Sequence, residues 1–172
     1  MISVMLGVML FFSILFAPNY GVIARNARRK KLSIKVMLED ILANLYRISE
    51  PSYSLESDAL SFSRPTEELS RVFASGGEVL RKALQKGRQE GYLIGKNDNI
   101  SLSENGRKEA KRLIRAHRLW ESYLVDEVGL RDDHVHNPAT NLEHFTADSM
   151  VEELSDTQSN PDVDPHGKRI PE

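Results

Sequence analysis

Apolar and polar residues alternate with a helical period along most of this chain. From Lys35 to Ile48, an apolar stripe of Val36, Leu38, Ile41, Leu42, Leu45 and Ile48 predicts a helix. Glu50 to Pro65 loses that period, is rich in Ser and Pro, and reads as a loop. Pro65, Thr66, Glu67 and Glu68 form a helix start, since Pro lacks a donor the first turn would leave unpaired and acids favour that end. This short helix ends near Ser75, Gly76 and Gly77. A third helix is predicted from Glu78 to Glu90, with Val79, Leu80, Ala83 and Leu84 inward, until Gly91 stops it. Leu93 to Lys96 and Ile100 to Leu102 are short strand candidates joined by a turn at Asn97, Asp98 and Asn99. This order is that of a winged helix-turn-helix. Ser103 caps a further helix to about Val128, and Gly129, Asp132 and Asp133 break the pattern. Asn137 followed by Pro138 opens a final helix to about Leu154, and the polar tail from Ser155 to Glu172 is read as irregular.

Charge changes this picture at the N-terminus. Met1 to Ala17 is apolar apart from Ser3 and Ser13, and it falls slightly short of the roughly 20 residues of a full membrane crossing. No charge precedes the run, whereas Arg25, Arg28, Arg29, Lys30, Lys31 and Lys35 follow it, and the first acid is Glu39. A signal peptide would carry its positive charge first. The positive-inside pattern instead suits the cytoplasmic end of a transmembrane helix. The expected organisation is a membrane helix end and basic segment over 1–31, a winged helix over 32–102, and a helical unit over 103–172. The expected location is the cell inner membrane, with the remainder in the cytoplasm.

The 172 residues carry 28% charged and 40% hydrophobic side chains, enough for a core. No cysteine is present, which removes disulfides, thiolate ligands and Cys nucleophiles. No HExxH motif, Ser-His-Asp set or Gly-rich phosphate loop stands out, so no enzyme is expected. Two polar constellations remain. His117 and Glu121 are one helical turn apart on one face, with His136 beyond the following break. Glu143 and His144 lie together in the last helix, with Asp40 a candidate third member. Imidazoles and carboxylates from several segments suit a first-row divalent metal. Taken singly, His117 could be a core histidine, Glu143 and His144 a helix surface, and Asp40 a solvated charge. His134 and His166 are read as surface residues.

Several ordered motifs resemble the iron- and manganese-dependent repressors typified by the diphtheria toxin repressor. Leu102-Ser103-Glu104-Asn105-Gly106-Arg107 resembles the start of that family's linker helix. His117-Arg118-Leu119-Trp120-Glu121 resembles its histidine–arginine–leucine–x–glutamate motif, and Glu143-His144 its glutamate–histidine pair. Asp164-Pro165-His166-Gly167-Lys168-Arg169-Ile170-Pro171 resembles the signature that closes its dimerisation domain. Separately, Leu15 to Arg25 resembles the end of the last membrane helix of metal-uptake ABC transporter permeases.

The resemblance implies a mainly α fold: a winged helix-turn-helix, then a helical metal-binding and dimerisation domain, with an N-terminal membrane helix segment. It places His117, Glu121 and His136 at an ancillary metal site. It places Asp40, Glu143 and His144 at a primary one, for Mn(II) or Fe(II). Thr140 falls where the family has a cysteine or glutamate ligand, a departure that leaves the primary site short of a ligand. The third helix becomes the recognition helix, with Arg81, Lys82, Gln85 and Lys86, and Lys96 on the wing, facing double-stranded DNA. Ser70, Ser75 and Gln89 are further polar candidates there. The implied partners are a second copy of the chain, DNA, the membrane and ABC transporter subunits. The alternative is an accessory domain that senses metal and gates transport without DNA.

Overall fold

The computed structural model describes residues 4–9, 22–50, 64–73, 77–95 and 99–172. The first long element, α1, runs over Val22–Ser49, well before the expected start at Lys35. The apolar period begins late because only the second half of α1 is buried, from Leu38 onward. Residues 22–34 are rich in Ala, Arg and Lys and hold no Gly or Pro, so propensity extends the helix where packing does not.

β1 (Arg64–Pro65) and the short helix α2 (Thr66–Val72) follow, then α3 (Gly77–Gln89), β2 (Leu93–Ile94) and β3 (Asn99–Leu102). The strands form an antiparallel sheet in the order β1-β3-β2. Arg64 pairs with Ile100, and Leu93 with Leu102. β1 is a correction to the expected loop. It is two residues long, and Pro65 is tolerated because the strand lies at the sheet edge. Ser75 and Gly76 before α3, and Lys96, Asn97 and Asp98 at the tip of the wing, lie outside the described residues.

α4 (Glu104–Asp126) joins the two halves. Its N-terminal part, through Ala110, Leu113 and Ile114, completes the winged-helix core of Leu38, Ile41, Leu42, Leu80, Leu84 and Ile100. Its C-terminal part, through Ala116 and Leu119, packs on Val151, Leu154 and Ile170. Ser103 caps α4 as expected, its Oγ accepting the Gly106 N–H at 2.9 Å.

After a 3₁₀ turn at Asp132–His134, the single helix expected to Leu154 is two, α5 (His136–Glu143) and α6 (Asp148–Thr157). Val135, not Asn137, precedes the first of them. The break falls at Phe145, Thr146 and the extended Ala147, without Gly or Pro to mark it. Thr146 is held there by the Trp120 indole N–H, which donates to its Oγ1 at 2.8 Å. The tail is also more ordered than expected: Val163 bridges Arg169, and Asp164 and Ile170 are buried.

Among the described residues, no helix is long and apolar enough to cross a membrane. Of the Met1 to Ala17 run only residues 4–9 are described, and they are helical with Val4, Met5, Leu6, Val8 and Met9 exposed.

Gly106 fixes the joint between wing and α4. A Cβ there would meet the Tyr92 carbonyl oxygen at 2.0 Å, a backbone contact that cannot be relieved by a rotamer change. Gly91, at φ 75°, faces open space. Gly106→Ala is expected to cost about 2–4 kcal/mol and Gly91→Ala about 1 kcal/mol. Urea unfolding of the two variants checks that order.

Candidate metal centre

Three polar clusters meet around the C-terminal half of α4. In the first, one turn of α4 presents His117 and Glu121, and the first residue of α5 supplies His136. His117 Nε2 lies 3.1 Å from His136 Nδ1 and 3.2 Å from Glu121 Oε1, and His136 Nδ1 lies 3.1 Å from Glu121 Oε1. These atoms close a nearly equilateral triangle. Metal–ligand bonds of about 2.0–2.2 Å place neighbouring ligand atoms roughly 3.0–3.4 Å apart. The triangle therefore has the dimensions of one face of a coordination polyhedron. His117 and Glu121 are buried, while His136 is exposed and leaves a path from solvent.

The second cluster joins Asp40 of α1 to Glu143 at the end of α5 and His144 just after it. His144 Nε2 lies 3.3 Å from Asp40 Oδ1. Its other nitrogen, Nδ1, is 2.9 Å from Glu39 Oε2. Glu39 is thus an orienting carboxylate behind the imidazole, of the kind that fixes a ligand's tautomer. Glu143 does the same for the first cluster: its Oε2 is 2.5 Å from His117 Nδ1, which turns His117 Nε2 toward Glu121 and His136. One carboxylate therefore belongs to both clusters. Thr140 contributes nothing to either, since its hydroxyl donates to the His136 carbonyl at 2.9 Å.

A third cluster, Glu121, Asp164 and His166, brings in the tail. His166 Nδ1 lies 3.8 Å from Glu121 Oε2. Asp164 Oδ1 accepts the backbone N–H groups of His166 and Lys168, both at 2.9 Å. His166 is exposed, as expected, and this turn brings it toward Glu121. The sequence signal was its place between Pro165 and Gly167, a turn whose glycine has φ 76°. Glu39 was missed as well. Its signal was a carboxylate three residues before Leu42 and seven before Tyr46, on the buried face of α1.

Electrostatics follow this geometry. For His144, burial opposes the charged form, but the hydrogen bonds to Asp40 and Glu39 outweigh it and push the pKa up to about 9. His117 is likewise buried, and its bonds to Glu121 and Glu143 raise it. Burial works against the Glu121 carboxylate too, yet His117 and His136 bring it down to about 2.

The expected DNA-facing residues divide. Arg81 and Gln85 are exposed on α3, as is Gln89. Lys82 and Lys86 are half-buried and paired along the helix, Lys82 with Glu78 at 2.6 Å and Lys86 with Glu90 at 3.6 Å. Ser70 donates to the Thr66 carbonyl. Lys96 and Ser75 lie outside the described residues.

The raised pKa of His144 makes a signed prediction for protein held in chelator. A histidine raised on folding stabilises fully below its ordinary 6.5, and that contribution is lost as pH rises through about 9. Stability is expected to fall by about 3 kcal/mol between those limits. His144→Gln is expected to flatten much of that slope in chemical unfolding.

Comparison with known proteins accounts for this arrangement. Residues 103–172 match the model of the iron dependent repressor, metal binding and dimerisation domain. An iron-dependent repressor of Mycobacterium tuberculosis is 28% identical over 120 residues, 69% of this chain and 51% of that protein. A probable metal transport system membrane protein of Chlamydia trachomatis is 31% identical over 168 residues, 96% of this chain and 36% of that protein. The chain thus spans about a third of its chlamydial relative and about half of the repressor. Among solved structures, a manganese-dependent transcriptional repressor in complex with manganese superposes with a TM-score of 0.64 at 27% identity, covering 78% of this chain and 58% of that one. With the ordered motifs and the three-cluster geometry already in place, residues 103–172 belong to the iron dependent repressor metal binding and dimerisation domain family, and the winged helix before them is similar to that of a manganese-dependent repressor.

Proposed function

We propose that this chain is a divalent-metal sensor that regulates transcription, joined to the membrane through its N-terminal segment as the tail of a metal-transport permease. The observation that carries the metal reading is the triangle of His117, Glu121 and His136 side-chain atoms, 3.1–3.2 Å apart. His117, Glu121 and His136 would hold one ion, with Asp164 and His166 reaching the same Glu121 from the tail. Asp40, Glu143 and His144 would hold a second, with Glu39 behind His144. The donors are nitrogen and oxygen without sulfur, which suits Mn(II) or Fe(II) among first-row ions. A bound dication supplies positive charge where protons now sit. The side chains then do the work: Asp40 ties α1 to the α5 end, and Glu143 ties that end to α4.

The same clusters connect to the winged helix because Asp40 and Glu39 lie on α1, which packs against α3. Fixing α1 fixes α3, where Arg81 and Gln85 are exposed for DNA, with Lys82 and Lys86 beside them and Lys96 on the wing. Phe145, 67% exposed, and Met150, 44% exposed, offer an apolar surface for a second copy in a homodimer.

The membrane part is supported by the match to the chlamydial membrane protein, which extends over 96% of this chain. That same match favours a second reading, a sensor domain that gates metal transport without DNA. Transport that still responds to metal after charge reversal at Arg81 and Lys86 is the result that would select it.

Isothermal titration with Mn(II) and gel shifts test the first reading. His117→Ala is expected to lose the first site, and Glu143→Gln to weaken both sites by about 10–100-fold, because it removes an orienting carboxylate and a ligand together. Thr140→Glu is expected to tighten the second site by at least about tenfold, since it adds a carboxylate where a hydroxyl is spent on its own helix. DNA binding indifferent to Mn(II) in all of these proteins would end the regulator reading.

A further inference from the structure

α1 is a single unbroken helix from Val22 to Ser49, and its first half is cationic. Arg25, Arg28, Arg29, Lys30 and Lys31 are all exposed. At 3.6 residues per turn these five positions point to every side of the helix, within an axial length of about 9 Å. No acid occurs in the sequence before Glu39. Glu78 at the start of α3 reaches this stretch, 3.6 Å from Lys30.

The start of the helix is different. Val22 and Ile23 are 42% and 49% exposed, and residues 4–9 also turn apolar side chains outward. Apolar sequence followed by a basic collar is the profile of a segment that leaves hydrocarbon through a layer of anionic headgroups. A helix lying flat on a bilayer carries its basic residues on one face. A helix charged on every side finds counter-charges on every side only when it enters the headgroup layer end-on.

We infer that the collar Arg25–Lys31 docks α1 end-on into an anionic phospholipid surface. The apolar neighbours favour lipid over a nucleic-acid backbone, because the DNA backbone offers phosphates without an adjoining apolar phase. α3 runs the same way as α1 beside it. Ala27, Lys30, Lys31 and Ile34 form one wall of a groove of about 620 Å³, and Lys82, Gln85 and Lys86 line the other. The first turn of α3 is level with Lys30, and Lys82 shares Glu78 with Lys30, so Lys82 lies within about a Debye length, 8–10 Å, of the collar. Bilayer and duplex DNA then compete for one end of the winged helix. The inference rests on the membrane-attached part of the proposed function and not on its metal centre.

Co-sedimentation of the full chain with vesicles tests it. Vesicles of phosphatidylcholine alone are compared with vesicles doped with phosphatidylglycerol, at low and high salt. The anionic vesicles are expected to bind at least about tenfold more tightly at low salt, with the difference collapsing at high salt. The triple variant Arg25→Glu, Arg29→Glu, Lys31→Glu is expected to bind both vesicle types equally. Equal binding by the unmodified chain, or a preference retained by the variant, overturns the inference. A variant that keeps its lipid preference but loses affinity for a short DNA duplex makes the collar a DNA contact and equally overturns it. Circular dichroism and Mn(II) titration of the variant, expected to be unchanged, separate this outcome from any failure of fold or metal centre.

Discussion

His117, Arg118 and Glu121 are buried side by side on one helix, and each requires a partner from elsewhere in the chain. A buried charge without such a partner costs several kcal/mol, so the segments around α4 are constrained by what they must supply. Arg118 receives both Glu50 oxygens at 2.7 Å from the end of α1, and its other contacts are the Arg169 carbonyl and Asp164 in the tail. His117 receives Glu143 from α5, and Glu121 receives His136 and His166. Three distant segments are thus drawn to one face of α4 by polar satisfaction, and the apolar contacts of Leu119 with Val151 and Ile170 follow from the same approach.

Shared carboxylates make these clusters one system. Glu143 orients His117 and also belongs with Asp40 and His144. Glu121 belongs to the first cluster and to the third. Asp164 joins the third cluster to Arg118, and through Arg118 to Glu50, the residue just past α1. A dication at any one cluster changes the demand on a carboxylate that another cluster uses. That is a physical basis for coupling between sites, carried by contacts rather than by distance.

What was legible in the sequence was local. The stripe from Leu38 to Leu45, the Ser103 cap and the one-turn spacing of His117 and Glu121 are short-range patterns, and each is found in the structure. The misses are long-range. Glu39 was missed because nothing nearby in sequence announces His144, more than a hundred residues away. His166 is exposed, and its approach to Glu121 depends on a turn at Gly167 and a bridge from Val163 to Arg169, neither of which a local pattern announces. The break between α5 and α6 depends on Trp120 reaching Thr146, again a tertiary contact overriding local propensity. The first half of α1 escaped a reading based on period because it packs little of its surface and so has no stripe to read.

That unbroken α1 is what joins the two ends of the problem. It carries the basic collar in its first turns and Glu39 and Asp40 about 15 Å further along, with no glycine or proline between them. A flexible linker would let the winged helix search freely whatever happened at the membrane. A continuous helix does not, because rotating or tilting one end moves the other. Under the proposed attachment, the side chains that meet His144 and the side chains that meet the headgroups belong to one rod. Metal occupancy and membrane orientation are then not independent variables. A sensor built this way reports metal by the angle at which α1 leaves the bilayer as well as by the exposure of α3.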